Sequence, residues 1–267
     1  MLIIANGAFK SGSTWLRNLV RQMAEYAPIP KAYQRPGLET WIDPGRFAAF
    51  LKNVDCRSAN YITKSHLYHK RYVSLLLGHE DVRVLCIARD LRDVLVSHYF
   101  HMIREGQIRE SRPFASYYWS IGRYKAQQVM EYHHAWGVES PRLYTSAFER
   151  LKGDFVGEVA RIAAFLGFDV PEKRILEIQE ETSLARQRKR LGEEDKPESQ
   201  RFFRKGIVGD YKNHFDEAML ADVAEVQQRG LRGLALLKYH VAFTARLAVR
   251  GFVQQQTGAI RRALRHA

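Results

Sequence analysis

Apolar and polar positions fall into a repeating order of short apolar runs followed by amphipathic stretches. Residues 1–5 form an apolar run of the kind a strand buried on both faces shows, and Leu16, Leu19, Val20 and Met23 recur at helical spacing over 14–23. Pro28, Pro30, Pro36 and Gly37 predict an irregular stretch. Asp43 and Pro44 then predict a capped, proline-started helix through Phe47, Phe50 and Leu51. Tyr33, Trp41, Phe47 and Phe50 read as local packing in a region that can shape a pocket. Further strands are expected at 60–63, 82–88 and 143–146, of which VRVLCIA at 82–88 is the clearest. Helices are expected after Asp90, from Phe155 to a stop at Gly167, and over 171–181. The charge-rich run 186–204 reads as a solvated or mobile loop.

This alternation predicts an α/β fold, a single domain with a central parallel sheet flanked by helices. A chain of 267 residues, 46% hydrophobic, can bury one sizeable core. Cys56 and Cys86 supply neither a disulfide framework nor a metal-ligand cluster. With no leader pattern and no apolar run of membrane-spanning length, a cytoplasmic setting is expected and no metal is expected. The net charge of +13 is unevenly placed. Eight basic and no acidic residues lie beyond Glu225, leaving only about +5 for the body. The basic, leucine-bearing segment at 230–267 is expected to form a helical extension to the domain at 1–229. It would rest on an anionic membrane surface or pack on the domain.

Candidate chemistry begins in GAFKSGST, between the first strand and the first helix. Gly7, Gly12 and Thr14 stand at P-loop spacing, but Ser13 occupies the lysine position and Lys10 lies three residues earlier. Backbone amides of such a loop, with the positive end of the helix behind it, seat phosphate. Moving the lysine points away from magnesium-assisted phosphoryl transfer and toward sulfuryl transfer, whose transferring group carries less charge. A strand end also delivers Lys64, Ser65 and His66. An imidazole there can take a hydroxyl proton near neutral pH, and a lysine two residues earlier can share its face. Arg89 closes the strand at 82–88 and Ser97 lies on the following helix, a fork of donors and a hydroxyl fit for one phosphate.

Four motifs together resemble the cytosolic-type sulfotransferases, which use 3′-phosphoadenosine 5′-phosphosulfate (PAPS). They are KSGSTWL at 10–16, KSHL at 64–67, RDLRDVLVSHYFH at 89–101 and RKGIVGDYKNHF at 204–215. The resemblance covers roughly residues 1–215 and implies a P-loop-NTPase-like fold. It also implies a role for each matched residue. Ser11, Gly12, Ser13 and Thr14 would hold the 5′ end, and Trp15 would stack on adenine. Lys10 and Lys64 would steady the sulfonate while His66 acts as base. Arg89, Ser97, Arg204, Lys205 and Gly206 would hold the 3′-phosphate. Aromatic residues within 112–136 are expected to help line the acceptor site.

Departures from the family pattern accompany the match. Phe148 stands where the family has tyrosine near adenine, and Leu184 replaces the phenylalanine of a Thr-Ser-Phe turn. After Lys212, Asp216, Glu217 and Ala221 replace the residues of the animal-type dimer contact, which is therefore not carried over. A small-molecule, lipid or carbohydrate hydroxyl is the expected acceptor, and nucleic acid is not expected as a partner. The competing readings are a P-loop phosphotransferase, which lacks its lysine at Ser13, a nucleic-acid module built on the basic tail, and a nucleotide-binding scaffold that would leave His66 without a task.

Overall fold

The computed structural model describes residues 1–241. Its centre is a parallel sheet of β1 (Leu2–Gly7), β4 (Tyr61–Ser65), β5 (Val82–Ala88) and β6 (Leu143–Ala147), in the order β4-β1-β5-β6. A short antiparallel hairpin, β2 (Gln34–Arg35) and β3 (Leu38–Ile42), stands beside β4, with Ile42 N donating to Thr63 Oγ1 at 2.9 Å. The helices are α1 (Ser13–Val20), α2 (Phe47–Asn53), α3 (Lys70–Leu77), α4 (Leu91–Arg104), α5 (Phe114–Tyr117) and α6 (Arg123–Trp136). They continue with α7 (Phe148–Gly153), α8 (Phe155–Leu166), α9 (Glu172–Glu181), α10 (Leu184–Arg190) and α11 (Glu217–Arg229).

β1 is buried along its whole length, and its side chains divide by the two-residue period of a strand. Leu2 and Ile4 enter the core shared with α3, α4, α6 and α11, whereas Ile3 and Ala5 enter the one shared with α1, α8 and α9. Leu2, Ile3 and Ile4, all fully buried, each stabilise the fold by about 1.5–3 kcal/mol. The chain leaves β1 for β4 on one side and returns to β5 on the other, so the strand order reverses at β1. Open α/β sheets bind ligands at the carboxyl end of such a reversal. The loop from Ala8 to Gly12 sits there.

Three expectations change. The second parallel strand runs to Ser65 rather than ending at 63, because Asn6 and Ser65 pair in register and carry Lys64 inside the strand. Within the stretch expected to be irregular, Pro36 and Gly37 form the turn of the β2–β3 hairpin. The charged run opens as a helix, α10, capped by the Ser183 hydroxyl accepting from Arg186 N at 3.3 Å. As for the segment at 230–267, Leu231 and Tyr239 are buried, and Tyr239 Oη donates to Glu131 at 2.7 Å. Residues 242–267 lie outside those described. Among the described residues no helix is long and apolar enough to cross a membrane.

Candidate active site

The loop after β1 is shaped by two left-handed residues, Lys10 at φ 61° and Gly12 at φ 103°. Gly12 admits no side chain easily, since a Cβ there would lie 3.0 Å from Phe148 Cδ2. α1 therefore starts abruptly, with no side chain capping it and no acidic residue in its first turn. Its open amide groups and the buried, unpartnered Ser11 hydroxyl suit an anion.

β1 and β4 end side by side, which puts the lysines and the histidine on the same rim. Asn6 fixes the join: its side chain accepts from Leu67 N at 3.0 Å and donates to Leu67 O at 3.2 Å. Trp136 Nε1 donates to the same carbonyl at 2.6 Å, so an aromatic of α6 holds the segment carrying His66. His66 Nδ1 lies 2.7 Å from Gly7 O. A carbonyl only accepts, so Nδ1 carries the proton and Nε2 keeps its lone pair. Burial, then the positive charge of Lys64, pushes the imidazole down to about 4. Lys64 Nζ donates to Thr14 Oγ1 at 2.6 Å. Burial followed by the field of Arg17 lowers Lys64 to about 8, and burial followed by Arg104, Lys64 and Arg89 lowers Lys10 to about 7. The rim is thus a small basin of positive charge with an unprotonated imidazole at its edge.

Arg89, at the end of β5, ties this basin to the RKGIVGD segment. Its guanidinium donates to Lys10 O at 3.4 Å and Ile207 O at 3.1 Å, and lies 4.3 Å over the Phe148 ring. Its Nε is buried without a partner. Ser97 lies half-buried on α4, one turn beyond Asp93. Lys205 reaches Asp210 at 3.3 Å and Glu198 at 3.6 Å. Arg204 pairs with Asp210 and, at 2.9 Å, with Glu198, its guanidinium 4.1 Å over Phe100 of α4. Gly206 turns the chain at φ 62°. Trp15 sits edge-on to Phe148 at 5.5 Å and stacks with Phe155 at 6.0 Å, its Nε1 donating to Thr182 Oγ1 at 3.4 Å.

Several participants were not legible beforehand. Buried Asp93 accepts from Gly209 N at 2.7 Å and Tyr211 N at 2.9 Å, pinning the RKGIVGD segment to α4. Trp41 does more than pack locally: its ring lies 5.6 Å from His66 and 4.9 Å from Lys64 Nζ. Among the aromatics of 112–136, Tyr117 meets His98 Nδ1 at 2.8 Å, and His98 in turn lies 5.0 Å from Phe9 of the loop. Among the described residues no group of three or more His, Cys, Asp or Glu could hold a metal ion.

With this arrangement in hand, comparison with known proteins is decisive. A model described as the sulfotransferase domain matches residues 2–235. The chain belongs to the sulfotransferase family. This sulfotransferase is 26% identical over 245 residues to sulfotransferase 1E1 of Cavia porcellus, spanning 85% of this chain and 82% of the relative. It is 24% identical over 246 residues to sulfotransferase 1C2 of Oryctolagus cuniculus, again over 85% and 82%. Among solved structures, mouse sulfotransferase SULT7A1 complexed with PAP shares the fold at TM-score 0.61 and 20% identity, over 86% of this chain and 83% of that one. Retinol dehydratase in complex with androsterone and inactive cofactor PAP does so at TM-score 0.60 and 20% identity, over 87% and 82%.

Proposed function

We propose that this sulfotransferase moves the sulfuryl group of PAPS to an acceptor hydroxyl by in-line displacement with His66 as general base. The observation that carries the reading is the pinned imidazole. Its Nδ1–H is held by Gly7 O, which leaves Nε2 to take the acceptor proton beside two lysines on the same rim. The acceptor oxygen forms its bond to sulfur as the bond from sulfur to the bridging phosphate oxygen breaks. Lys10 and Lys64 steady the charge that gathers on the sulfonate and on the departing phosphate. Ser11, Gly12, Ser13 and Thr14 seat the 5′ end. Arg89, Ser97, Arg204, Lys205 and Gly206 address the 3′-phosphate, and Trp15 and Phe148 border the adenine. The product is adenosine 3′,5′-bisphosphate, PAP. Transfer of label from sulfur-labelled PAPS to a panel of phenols, alcohols, sugars and lipids tests the reading. PAP formation that rises with acceptor concentration supports it, and binding of ATP with magnesium in preference to PAPS would overturn it.

The lysines give the donor a pH signature. Free Lys10 titrates near 7 and Lys64 near 8, and a bound sulfonate and phosphate favour the charged form of both. Binding above pH 7 therefore draws protons from solution. PAPS affinity is highest below pH 7 and falls by up to about tenfold per pH unit between 7 and 8, and more steeply above 8, where both lysines must take up a proton. Calorimetry of PAPS binding at pH 8, in buffers of different ionisation enthalpy, should show net proton uptake; none would refute the lysine contacts.

Glu198 stands in for an anion at the proposed 3′-phosphate clamp, since it pairs with both Arg204 and Lys205. It is about half exposed, so each pair contributes only about 0.2–1 kcal/mol, and a phosphate must displace it. Glu198→Gln is expected to tighten PAP binding by about two- to fivefold. Unchanged or weaker binding in a titration would show that Glu198 does not compete for the clamp.

A further inference from the structure

We propose that the acceptor carries an anionic group near its reacting hydroxyl, and that Arg35 is the residue that reads it. The inference rests on the PAPS reading and goes on to the class of acceptor. Three cations stand about the rim beyond those assigned to the donor. Arg35, on β2, lies 5.8 Å over the Trp41 ring, and that ring in turn lies 5.6 Å from His66. It is exposed, and among the described residues it forms no ion pair with a carboxylate. Arg104 lies 4.7 Å over Phe202, the ring it shares with Lys10 at 5.2 Å, and its charge is taken up by Glu105 at 2.5 Å. Lys125 reaches toward the site from α6, 5.0 Å over Phe9, and donates to Gln128 at 2.8 Å.

Charge matching then separates donor from acceptor. The 3′-phosphate meets Arg89, Arg204 and Lys205, while the sulfonate and the 5′-phosphate meet Lys10 and Lys64. Arg35 is left over beside Trp41, close enough to His66 for the imidazole to feel its charge. The positive field there is felt by both nearby histidines. His66 is lowered by burial and by Lys64, Lys10 and Arg35, and His101, lowered to about 4, by burial, Lys10 and Arg104. A neutral acceptor would leave exposed Arg35 to water. A carboxylate, sulfate or phosphate ester would gain a charge-assisted contact from the planar fork of Arg35, which lies within cation–π range of Trp41.

The test uses matched acceptor pairs with the full-length protein and sulfur-labelled PAPS: hydroxyphenylpropanoate against its neutral amide, and glucuronate against glucose. Native protein is expected to favour the anionic member by about two- to fivefold in kcat/KM, mainly through KM. In Arg35→Gln the preference should fall to about one, with PAP affinity unchanged, and Arg35→Lys should restore part of it. Equal or better use of the neutral members overturns the inference. So does a preference that survives Arg35→Gln, or transfer to none of the anionic members while PAP still binds. Failure of native protein to bind PAP would instead undo the donor reading.

Discussion

His66→Ala is expected to lower kcat for sulfuryl transfer by about 10²–10⁴-fold while PAP affinity stays within about twofold of native. The imidazole contacts Gly7 through Nδ1, whereas the residues proposed to bind the nucleotide approach from α1, β5 and the segment at 204–206. Removing it takes away the acceptor's proton sink and leaves the phosphate seats standing. The pH profile carries the same signature. A base lowered to about 4 works when unprotonated, so kcat/KM stays independent of this group down to about pH 5 and falls as pH drops through 4. Bound donor brings negative charge, favours the imidazolium, and moves the acid limb of kcat to higher pH than that of kcat/KM. Stopped-time assays with labelled PAPS measure the rate, and thermal unfolding checks that the variant is folded. Native kcat in His66→Ala, or a large loss of PAP affinity alongside it, would remove the base assignment.

Legibility of this fold from sequence followed how local each determinant was. β5 was readable to the residue because VRVLCIA is apolar at every position but Arg83, and it is buried except at Arg83 and Ala88. The start of α4 was readable because Asp90 is a local cap that accepts from Arg92 N at 2.8 Å. Gly167 likewise ends α8 at φ 73°. The end of β4 was not readable, because Lys64 and Ser65 are polar and become strand only through pairing with β1. Nor was α10, where the face presented by Gln187 is buried while its neighbours are charged.

The site divides in the same way. Motif residues at the ends of β1, β4 and β5 were visible as candidates because each belongs to a short contiguous pattern. The residues that orient them act across the chain and left no local trace. Asp93 accepts from amides more than a hundred residues away, and Glu193, 4% exposed, accepts from Phe202 N at 3.0 Å, fixing the ring that meets Lys10 and Arg104. Trp41 reaches His66 only because β3 packs beside β4, an approach that a stretch holding Pro36 and Gly37 conceals.

Lys10→Ala is expected to reduce kcat by about 10²–10³-fold while weakening PAP binding by no more than about threefold. PAP lacks the sulfonate, and its 3′-phosphate is assigned to Arg89, Arg204 and Lys205. The loss therefore falls on PAPS binding and on turnover, where the sulfonate is present, and not on PAP, whose 5′-phosphate keeps the loop amides and Lys64. The lysine's own setting makes it suited to the sulfonate. It is held near 7 by burial and by Arg104, Lys64 and Arg89, so its ammonium is poorly compensated until an anion arrives. It contributes when protonated, so the rate through the free enzyme falls as pH rises through 7, and this alkaline limb should vanish from the kcat/KM profile of Lys10→Ala, leaving that of Lys64 near 8. Lys10→Arg keeps a charge that does not titrate, so it should retain part of the rate and lose the limb as well. The backbone offers little confusion: alanine inherits the same φ of 61° as lysine, and the carbonyl that accepts from Arg89 is unchanged. Parallel losses in PAP affinity and kcat would mean that Lys10 holds the nucleotide rather than the transferring sulfonate, and the displaced lysine of the loop would then need a different role.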